Sequence, residues 1–379
     1  MVLFLHNRYR TEGGEERVVA DLLALVRGRI GEEALMLERD SAGLGRGRAA
    51  AGLLAGGLSP DEVAAAVRQQ GARVLHAHNL LPAFGWRALA AGRRAGARVV
   101  LHLHQYRLVC AIGVCFRDGQ ECTRCHGRNT LPGIRLNCRG SRGEALAYGT
   151  ALALWQRRTV EQADVIVVPS AFAAGRLREL GVPLEGRDVR VLAPPVAVPA
   201  GQWQPDGAGY ALVASRLSVE KGVDVAIEAC AIAGMPLAIA GEGPQRGQLE
   251  RLARAGGGDV RFLGPVGREE LERVRAGAAV AAVPSRSAET FGLALAEAMA
   301  AGVPAVASRV GALPELLDDE DGLVAPGDAV ALASAIQARA GDGGAGARGR
   351  ARVLASCSPD AVAARLARIY DGSPEPDGA

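Results

Sequence analysis

Glu289-Thr-Phe-Gly-Leu-Ala-Leu-Ala-Glu297 is the stretch from which the fold of this chain can be inferred. A short apolar segment, residues 279–283, and a loop that begins at Pro284 precede it. Residues 293–301 are rich in helix-forming side chains, and another short apolar segment, residues 304–307, follows them. This order of strand, loop, helix and strand predicts a parallel sheet with helices packed against it.

The two glutamates of this stretch are eight residues apart, which is about 12 Å along a helix. Between them lie the N–H groups of Phe291, Gly292 and Leu293 at the start of the expected helix, where backbone donors attract phosphate. A ligand with hydroxyls at both ends and phosphates in the middle, such as a nucleotide-diphosphate sugar, would fit this pattern. Taken alone, such a pair is more often a solvated loop residue and part of an exposed helix face.

A second segment, Ser215-Arg-Leu-Ser-Val-Glu-Lys-Gly222, follows an apolar strand and opens a helix. Arg216 and Lys221 in this segment could both reach a pyrophosphate. Lys221 is the only lysine of the chain, in which arginine supplies all the other permanently basic side chains. A flexible ammonium group acts as a point charge on phosphate, and a planar guanidinium does not replace it freely. We therefore interpret Lys221 as a phosphate ligand rather than as a chance survivor.

Taken together, these stretches resemble the retaining glycosyltransferases of family four, and the resemblance runs through nearly all of the second half in the family's order. The matching residues are Arg216 and Lys221, Gly241-Glu-Gly-Pro244, Phe262-Leu-Gly-Pro265, Pro284-Ser285, Glu289 to Glu297, Gly302-Val-Pro304 and Gly311-Ala-Leu-Pro-Glu315. The first half matches more loosely, at His6-Asn7, Gly13-Gly14, His78-Asn79 and His104.

The resemblance implies an α/β protein of the GT-B class, in which two Rossmann-like doubly wound domains face a central cleft and the C-terminal helix crosses back to the first domain. A chain of 379 residues is long enough for two such domains, each with its own core. The expected parts are an N-terminal acceptor-side domain (1–195), a linker (196–209), a C-terminal nucleotide-sugar-binding domain (210–356), and a crossover helix with a tail (357–379).

Some stretches give weaker local predictions. Residues 6–14 are expected to form a loop after a first strand at 2–5, and residues 41–57 have no pattern that we can assign. The glycines of residues 341–349 predict a flexible surface loop. Beyond Gly372 we expect disorder.

The resemblance also implies roles for residues of the second half. Arg216 and Lys221 stabilise the leaving diphosphate as charge develops. Glu289 binds the donor sugar together with the amides of residues 291–293, and Glu297 binds the ribose hydroxyls. The backbone near Gly264 and Val266 lines the nucleobase.

In the first half, the resemblance places Gly13 and Gly14 near the donor phosphates and the acceptor, and His104 against the donor sugar. An ordinary tight turn would explain the glycine pair equally well. The family usually has an aspartate after this histidine, and this chain has Gln105 instead. His102 is expected to point to the opposite face of its strand. Two alternating histidines could also simply fill and edge a sheet.

A cysteine-rich loop is expected over residues 105–142. Cys122 and Cys125 have the C-x₂-C spacing of a zinc knuckle, and Cys115 and Cys138 would complete a set of four thiolate ligands. A structural zinc here would order the loop and would leave no open position for catalysis. The alternative is a set of free thiols in a reducing cytosol.

Composition excludes some classes of function. A formal net charge of +3 is too small to argue for a nucleic-acid partner. The first apolar run, residues 2–5, is too short for the core of a signal peptide, and no later segment approaches a membrane span. We therefore expect a cytoplasmic protein without a transmembrane segment, for which contact with a membrane surface stays open.

We expect no metal cofactor in catalysis, because Arg216, Lys221 and the helix start already supply positive charge. Asp319-Glu-Asp321 formally matches the D-x-D metal motif of a different glycosyltransferase fold. It follows an expected helix and precedes a glycine, so we interpret it as an acidic surface turn.

The sequence thus predicts a retaining, metal-independent hexosyltransferase. It would move a sugar from a nucleotide-diphosphate sugar, with UDP favoured by the resemblance, to a hydroxyl of a small-molecule, lipid-linked or glycan acceptor. One alternative is an epimerase or hydrolase on the same fold, which would turn over the donor without an acceptor. The other is a catalytically silent sugar-nucleotide binder, against which the intact basic and acidic pairs argue.

Overall fold

The computed structural model describes residues 1–9, 13–199, 203–204 and 209–374. The chain divides into two compact units. The first unit combines Met1–Cys115 and Cys122–Pro195 with the segment from Pro359 onwards, and the second combines Val196–Ser358 with Phe116–Glu121. The C-terminal helix therefore belongs to the first unit, although it follows the second in sequence. Residues 200–202 and 205–208 of the expected linker, and residues 375–379 of the expected tail, lie outside the described residues.

The first unit is built on a six-stranded sheet in which every strand pair is parallel. Its strands are β1 (Val2–Arg8), β2 (Ala34–Asp40), β3 (Val74–Ala77), β4 (Arg98–His102), β7 (Val165–Val168) and β8 (Val189–Val191). Their spatial order is β2-β1-β3-β4-β7-β8. A separate short antiparallel pair, β5 (Phe116–Arg117) and β6 (Gln120–Glu121), lies between β4 and β7 in the sequence.

Helices connect these strands and cover the sheet. They are α1 (Gly14–Leu25), α2 (Arg46–Ala55), α3 (Pro60–Gln70), α4 (Gly85–Arg94), α5 (Leu131–Arg135), α6 (Arg142–Glu161), α7 (Ala171–Glu179) and the C-terminal α15 (Pro359–Asp371). A π-helical turn, Val26–Ile30, extends α1. The strands read as short apolar runs because a parallel sheet is buried on both faces. Ser170 caps α7, since its Oγ accepts a hydrogen bond from the Ala173 N–H at 3.0 Å.

The second unit has the same kind of architecture. Its parallel strands are β9 (Ala211–Ala214), β10 (Leu237–Ala240), β11 (Val260–Gly264), β12 (Val280–Val283), β13 (Ala305–Ser308) and β14 (Leu323–Val324), in the order β11-β10-β9-β12-β13-β14. Its helices are α8 (Val223–Ala233), α9 (Arg246–Gly256), α10 (Arg268–Ala276), α11 (Leu293–Ala300), α12 (Leu313–Leu317), α13 (Ala329–Arg339) and α14 (Gly343–Cys357). Two 3₁₀ turns, Val219–Lys221 and Glu320–Gly322, complete it.

Three local predictions are wrong or incomplete. Helix α14 occupies the stretch in which the glycines predicted a surface loop. Asp342 caps this helix, and a Cβ on Gly346 would lie 2.1 Å from the Gly302 carbonyl oxygen, so the glycine permits close packing rather than flexibility. Helix α2 fills most of the stretch that had no pattern. Strand β1 continues to Arg8, so His6 and Asn7 lie in the sheet and not in a loop.

Each sheet has one point at which the order of its strands reverses. In the first unit it lies between β1 and β3, and in the second unit between β9 and β12. The loops that follow two such strands diverge to opposite faces and leave a crevice at the carboxyl edge, which is where open α/β sheets bind ligands. The residues of interest follow these strands.

Candidate functional site

At the reversal point of the second unit, the loop after β9 lies against the loop after β12. Gly222 has a φ of +63°, and a Cβ there would lie 2.0 Å from the Pro284 carbonyl oxygen. Only glycine allows this approach. The close approach places Lys221, the residue before Gly222, beside the loop that follows β12.

Lys221 and Glu289 form an ion pair across this point. The Lys221 Nζ donates a hydrogen bond to the Glu289 Oε1 at 2.6 Å, and the Ser285 Oγ donates to the same oxygen at 2.7 Å. Burial alone would raise the pKa of Glu289, but the Lys221 charge and these two hydrogen bonds outweigh it and lower the pKa. The glutamate is therefore ionised at neutral pH, and the ammonium group is held in one place.

A second close approach, at Gly311, fixes the backbone just before the start of α11. Gly311 has a φ of +64°, and a Cβ there would lie 2.4 Å from the Glu289 nitrogen. The Ala312 N–H donates to the Glu289 carbonyl at 2.9 Å. The N–H groups of Phe291, Gly292 and Leu293 donate no hydrogen bond to any residue that the structure describes. The predicted phosphate-binding donors are thus present at a helix start.

Glu297, the second glutamate of the motif, has a partner that the sequence did not reveal. The Arg275 Nη2 donates to the Glu297 Oε2 at 2.7 Å, and only 6% of the Arg275 side chain is exposed. Arg275 lies in the last turn of α10 among other arginines, so its spacing gave no signal. The structure therefore places a buried ion pair at the position expected to bind ribose.

The remaining second-unit residues lie at the same edge of the sheet. Arg216 follows β9, contacts Glu220, and has its Nε 3.3 Å from the Ser218 Oγ. Gly264 ends β11 and its carbonyl accepts the Gly241 N–H at 2.8 Å, while Val266 is half-buried two residues later. The predicted diphosphate and base residues therefore share one carboxyl edge.

In the first unit, Gly13 has extended backbone and Gly14 begins α1. The Gly13 N–H donates to the Glu16 Oε2 at 2.9 Å, which completes a capping arrangement. Neither glycine has a positive φ, so the backbone does not demand glycine here. Residues 10–12 of the expected loop lie outside the described part of the chain.

His104 lies two residues beyond the end of β4, within a cluster of five histidines. The His104 Nε2 is 2.9 Å from the His78 Nδ1. The rings of His102 and His104 stack with centroids 4.3 Å apart, so the prediction that His102 points to the opposite face is wrong. The reason is the period of two along a strand, which puts residues i and i+2 on one face.

Every histidine of this cluster has a lowered pKa, and all of them are buried except His104, which is half-buried. Burial, the largest cause, lowers the pKa of His76 to about 3 and that of His104 to about 4. It also lowers the pKa values of His6, His78 and His102. At neutral pH these side chains are therefore neutral imidazoles, which both donate and accept one hydrogen bond.

Glu15 and Gln105 form a contact that the sequence did not predict. The Glu15 Oε2 accepts hydrogen bonds from the Tyr9 hydroxyl at 2.8 Å and from the Gln105 Nε2 at 3.0 Å. Burial raises the pKa of Glu15 despite the nearby Arg107. An aspartate in place of Gln105 would face this carboxyl group, whereas the amide donates to it. The departure from the usual residue is thus matched by Glu15.

These first-unit residues line a cavity of about 70 Å³. Its lining includes the polar residues Glu15, His104, Gln105 and Arg107 and the aromatic residues Trp86 and Trp155. A cavity with a large apolar wall and a few convergent polar groups is the usual form of a small-molecule site.

Two family models together cover most of the chain. One, described as "Glycosyl transferase 4-like domain", matches residues 8–194, and the other, "Glycosyl transferases group 1", matches residues 209–342. This chain belongs to glycosyltransferase family four.

Curated relatives are similar to parts of this family-four chain. A GDP-mannose-dependent alpha-(1-6)-phosphatidylinositol dimannoside mannosyltransferase from Mycobacterium tuberculosis is 36% identical over 194 residues, which is 48% of this chain and 50% of that protein. A D-inositol 3-phosphate glycosyltransferase from Nocardioides sp. is 30% identical over 268 residues, or 60% of this chain and 56% of that protein. The chain spans about half the length of these relatives.

Solved structures confirm the fold. Sucrose-phosphate synthase from Thermosynechococcus elongatus has a TM-score of 0.69 and 22% identity, with 98% of each chain covered. The family-four chain therefore has the GT-B fold, with two Rossmann-like units and a C-terminal helix that returns to the first unit. None of its described helices is both long enough and apolar enough to cross a membrane.

The cysteine-rich loop of this family-four chain holds one thiol more than the predicted zinc set. Among the described residues, no three of Cys115, Cys122, Cys125 and Cys138 have ligand atoms within 4.8 Å of one another. A hydrogen bond with Cys115 lowers the pKa of Cys110 to about 6, and burial raises that of Cys125 to about 11. The zinc site stays a prediction.

The acidic turn that matches D-x-D is paired with arginines. Asp319 forms a close ion pair with Arg339, and Glu320 forms one with Arg309. Asp319 also accepts the Asp321 N–H at 3.2 Å, which shapes the turn. These carboxylates are therefore already neutralised by side chains of the second unit.

Proposed function

We propose that this chain is a retaining hexosyltransferase that moves a sugar from a nucleotide-diphosphate sugar to a hydroxyl acceptor without a metal cofactor. The observation that carries the proposal is the Lys221–Glu289 ion pair at the reversal point of the second sheet, 2.6 Å long and next to the start of α11. Positive charge and free backbone donors converge there on the place where a diphosphate leaving group needs them.

The second unit supplies the donor functions. Lys221 and Arg216 stabilise the diphosphate, with the amides of Phe291, Gly292 and Leu293 as further donors. Glu289 binds the donor sugar while it orients the Lys221 ammonium group, as their 2.6 Å contact supports.

The nucleoside is bound by the same unit. Glu297 binds the ribose, with Arg275 orienting its carboxylate through their 2.7 Å hydrogen bond. The backbone from Gly264 to Val266 lines the base. These assignments follow the family resemblance and the carboxyl-edge positions of the residues.

The first unit supplies sugar and acceptor functions. We assign His104, Gly13 and Gly14 to these functions, as the resemblance implies. The cavity beside His104 is lined by Trp86 and Trp155 together with Glu15 and Gln105. This mixture of apolar and polar side chains supports an acceptor that combines hydroxyl groups with an apolar portion. A lipid-linked acceptor would bring the protein to the surface of a membrane from the cytoplasm.

The donor base is proposed as uracil, with guanine as the alternative. The resemblance favours UDP, while the name of the Mycobacterium tuberculosis relative specifies GDP-mannose for that protein. A thermal-shift panel of UDP-, GDP-, ADP- and TDP-sugars on the wild type, Lys221→Ala and Glu297→Ala decides between them. A ligand at about 100 times its dissociation constant adds roughly 2.7 kcal/mol of stability.

The expected result is that one nucleotide series stabilises the wild type and neither variant. If no series stabilises the wild type, the donor assignment fails and the reading of the chain as a catalytically silent protein moves ahead. With the donor known, product analysis tests the chemistry. A product with inverted anomeric configuration contradicts retention, and full turnover of the donor without any acceptor favours the hydrolase or epimerase.

A further inference from the structure

Five of the six histidines lie on one face of the three adjacent strands β1, β3 and β4, or directly beyond their ends. They are His6, His76, His78, His102 and His104. His76 and His78 are two residues apart, and so are His102 and His104. One ring nitrogen from each of His76, His78 and His102 lies within 4.8 Å of the other two. Within the described ranges, this is the only such group of three potential metal-ligand side chains.

We propose that His76, His78 and His102 form a binding site for one divalent transition-metal ion of the zinc type. Neutral imidazole is a preferred ligand of such ions. The three residues are 0%, 3% and 1% exposed, so their rings have fixed surroundings. The site is separate from the cysteine-rich loop and from the donor residues of the second unit.

The hydrogen bonds of the cluster leave a set of nitrogens for the metal. The Tyr370 hydroxyl is 2.7 Å from the His76 Nδ1, and the His104 Nε2 is 2.9 Å from the His78 Nδ1. The Nε2 atoms of His78 and His102 are buried without a hydrogen-bond partner among the described residues. Leaving a buried polar atom unpaired is costly, and an ion bound by the Nε2 of His78 would remove that cost for His78.

One pair of nitrogens, from His76 and His102, is in direct contact at a separation that also suits two ligands of one metal ion. The His76 Nε2 and the His102 Nδ1 are 3.2 Å apart. Two nitrogens that share a tetrahedral zinc ion at 2.0–2.1 Å are about 3.3 Å apart. We therefore assign these two atoms and the unpaired His78 Nε2 as the ligands.

This choice gives two ligands an outer partner. Tyr370 would then hold the far nitrogen of His76, and His104 would hold that of His78. Such outer hydrogen bonds fix the tautomer and the orientation of a ligating ring. The metal would also connect the C-terminal helix, through Tyr370, to the two central strands.

The cavity of the first unit gives the ion a path. His78 and His102 both line it, together with Glu15. Three protein ligands leave a fourth position, which water can occupy from this cavity.

The test uses the full-length protein without a histidine tag, stripped with a chelator. Zn²⁺ is titrated in competition with a chromophoric chelator, and Co²⁺ spectra are recorded. Cys122→Ser/Cys125→Ser is used as the background, so that the cysteine loop does not contribute. We expect one equivalent of Zn²⁺, a Co²⁺ spectrum without sulfur-to-metal charge transfer, and a higher melting temperature with Zn²⁺.

The variants are chosen to keep the fold. His78→Gln and His102→Gln should abolish the equivalent, whereas His126→Ala, the histidine outside the cluster, should retain it. Tyr370→Phe is nearly isosteric and removes only the outer hydrogen bond, so it should weaken Zn²⁺ binding by about 10- to 100-fold. The proposal is overturned if the background protein binds no Zn²⁺, or if affinity is unchanged in Tyr370→Phe and in the folded glutamine variants.

Discussion

Glu15 and Glu289 are two largely buried carboxyl groups, one beside the reversal point of each sheet, and their pKa values are shifted in opposite directions. Burial raises the pKa of Glu15, whose hydrogen-bond partners, Tyr9 and Gln105, are neutral. Burial acts on Glu289 too, but the ammonium group of Lys221 at 2.6 Å reverses the result and lowers the pKa.

The difference between these two regions is one of side-chain chemistry on the same topology. Around Glu289 and Glu297 the second unit pairs carboxylates with cations. Around Glu15 the first unit collects imidazoles and the Gln105 amide, and the nearby Arg107 does not hold the pKa of Glu15 down. A diphosphate suits the first kind of edge and uncharged hydroxyls suit the second. The fold thus supplies the location, and the side chains choose the ligand.

The largest expected effect is on stability, from Arg275→Leu. Removing one partner of a largely buried ion pair is strongly destabilising, so loss of the Arg275 charge from beside Glu297 should lower the free energy of unfolding by about 3–5 kcal/mol. Urea denaturation measures it. The double variant Arg275→Leu/Glu297→Leu should recover most of the loss. If the double variant is as unstable as the single one, lost packing rather than charge pairing is the cause.

Lys221→Ala should make the surroundings of Glu289 resemble those of Glu15, whose hydrogen-bond partners are neutral. Without the ammonium group, burial dominates at Glu289, so its pKa should rise above the ordinary value of 4.5, as carbon-13 NMR of the glutamate can measure. The kcat/KM for glycosyl transfer should fall by about 10²- to 10³-fold, as for loss of one transition-state donor. Arg309→Ala, in an exposed ion pair with Glu320, is the control and should leave both values unchanged.

Opposite pKa shifts predict opposite pH dependence of stability for Glu15→Gln and Glu289→Gln. When folding raises the pKa of a group, that group stabilises the folded protein at pH values below its unfolded pKa. This stabilisation is lost as the pH rises through the folded pKa. Replacing Glu15 should therefore stabilise the protein at pH 7.5 relative to pH 4. A lowered folded pKa gives stability that is present above the unfolded value and lost as pH falls.

Replacing Glu289 should accordingly destabilise the protein at pH 7.5 and less so in acid. Each change should be on the order of 1 kcal/mol, which is typical of a single substitution. Chemical denaturation of both variants and the wild type at the two pH values provides the measurement. Equal pH profiles for the two variants would remove the contrast between the regions.

The smallest effect is expected at His104. If it forms a hydrogen bond between neutral groups with the sugar, His104→Ala should reduce kcat/KM about tenfold or less, because such a bond contributes about 0.5–1.5 kcal/mol. His126→Ala should have no effect. A loss as large as that of Lys221→Ala would mean that the first region also acts on developing charge.

Much of the donor region could be predicted because its residues belong to continuous motifs at strand ends. Lys221 and Glu289 each lie in a short loop between an apolar strand and a helix. The hydrophobic patterns of those strands and helices predicted where the loops lie in the sequence. Arg275 could not be predicted as the partner of Glu297, since it is one of several arginines on a polar helix. Pairing between distant segments has no local signal, and Gln105 with Glu15 is a second example.

Other differences have a similar origin in tertiary contacts. Glycines in α14 suggested a loop, but Gly346 lies against the Gly302 carbonyl, where a Cβ would not fit. His102 was assigned to the wrong face, although the two-residue period of its strand was visible in the sequence. The histidine cluster could be seen only when β3 and β4 were known to be neighbours.

The solitary lysine has a practical consequence for anyone handling this protein. Its ammonium group is the only side-chain amine of the chain, and it is held against Glu289. Amine-directed dyes, surfaces and cross-linkers therefore have two kinds of target, the N-terminal amine and the proposed donor position at Lys221, instead of many lysines over the surface. Modification of Lys221 by such reagents should inactivate the enzyme. If a bound nucleotide sugar slows this modification, the slowing reports directly that the donor binds at Lys221.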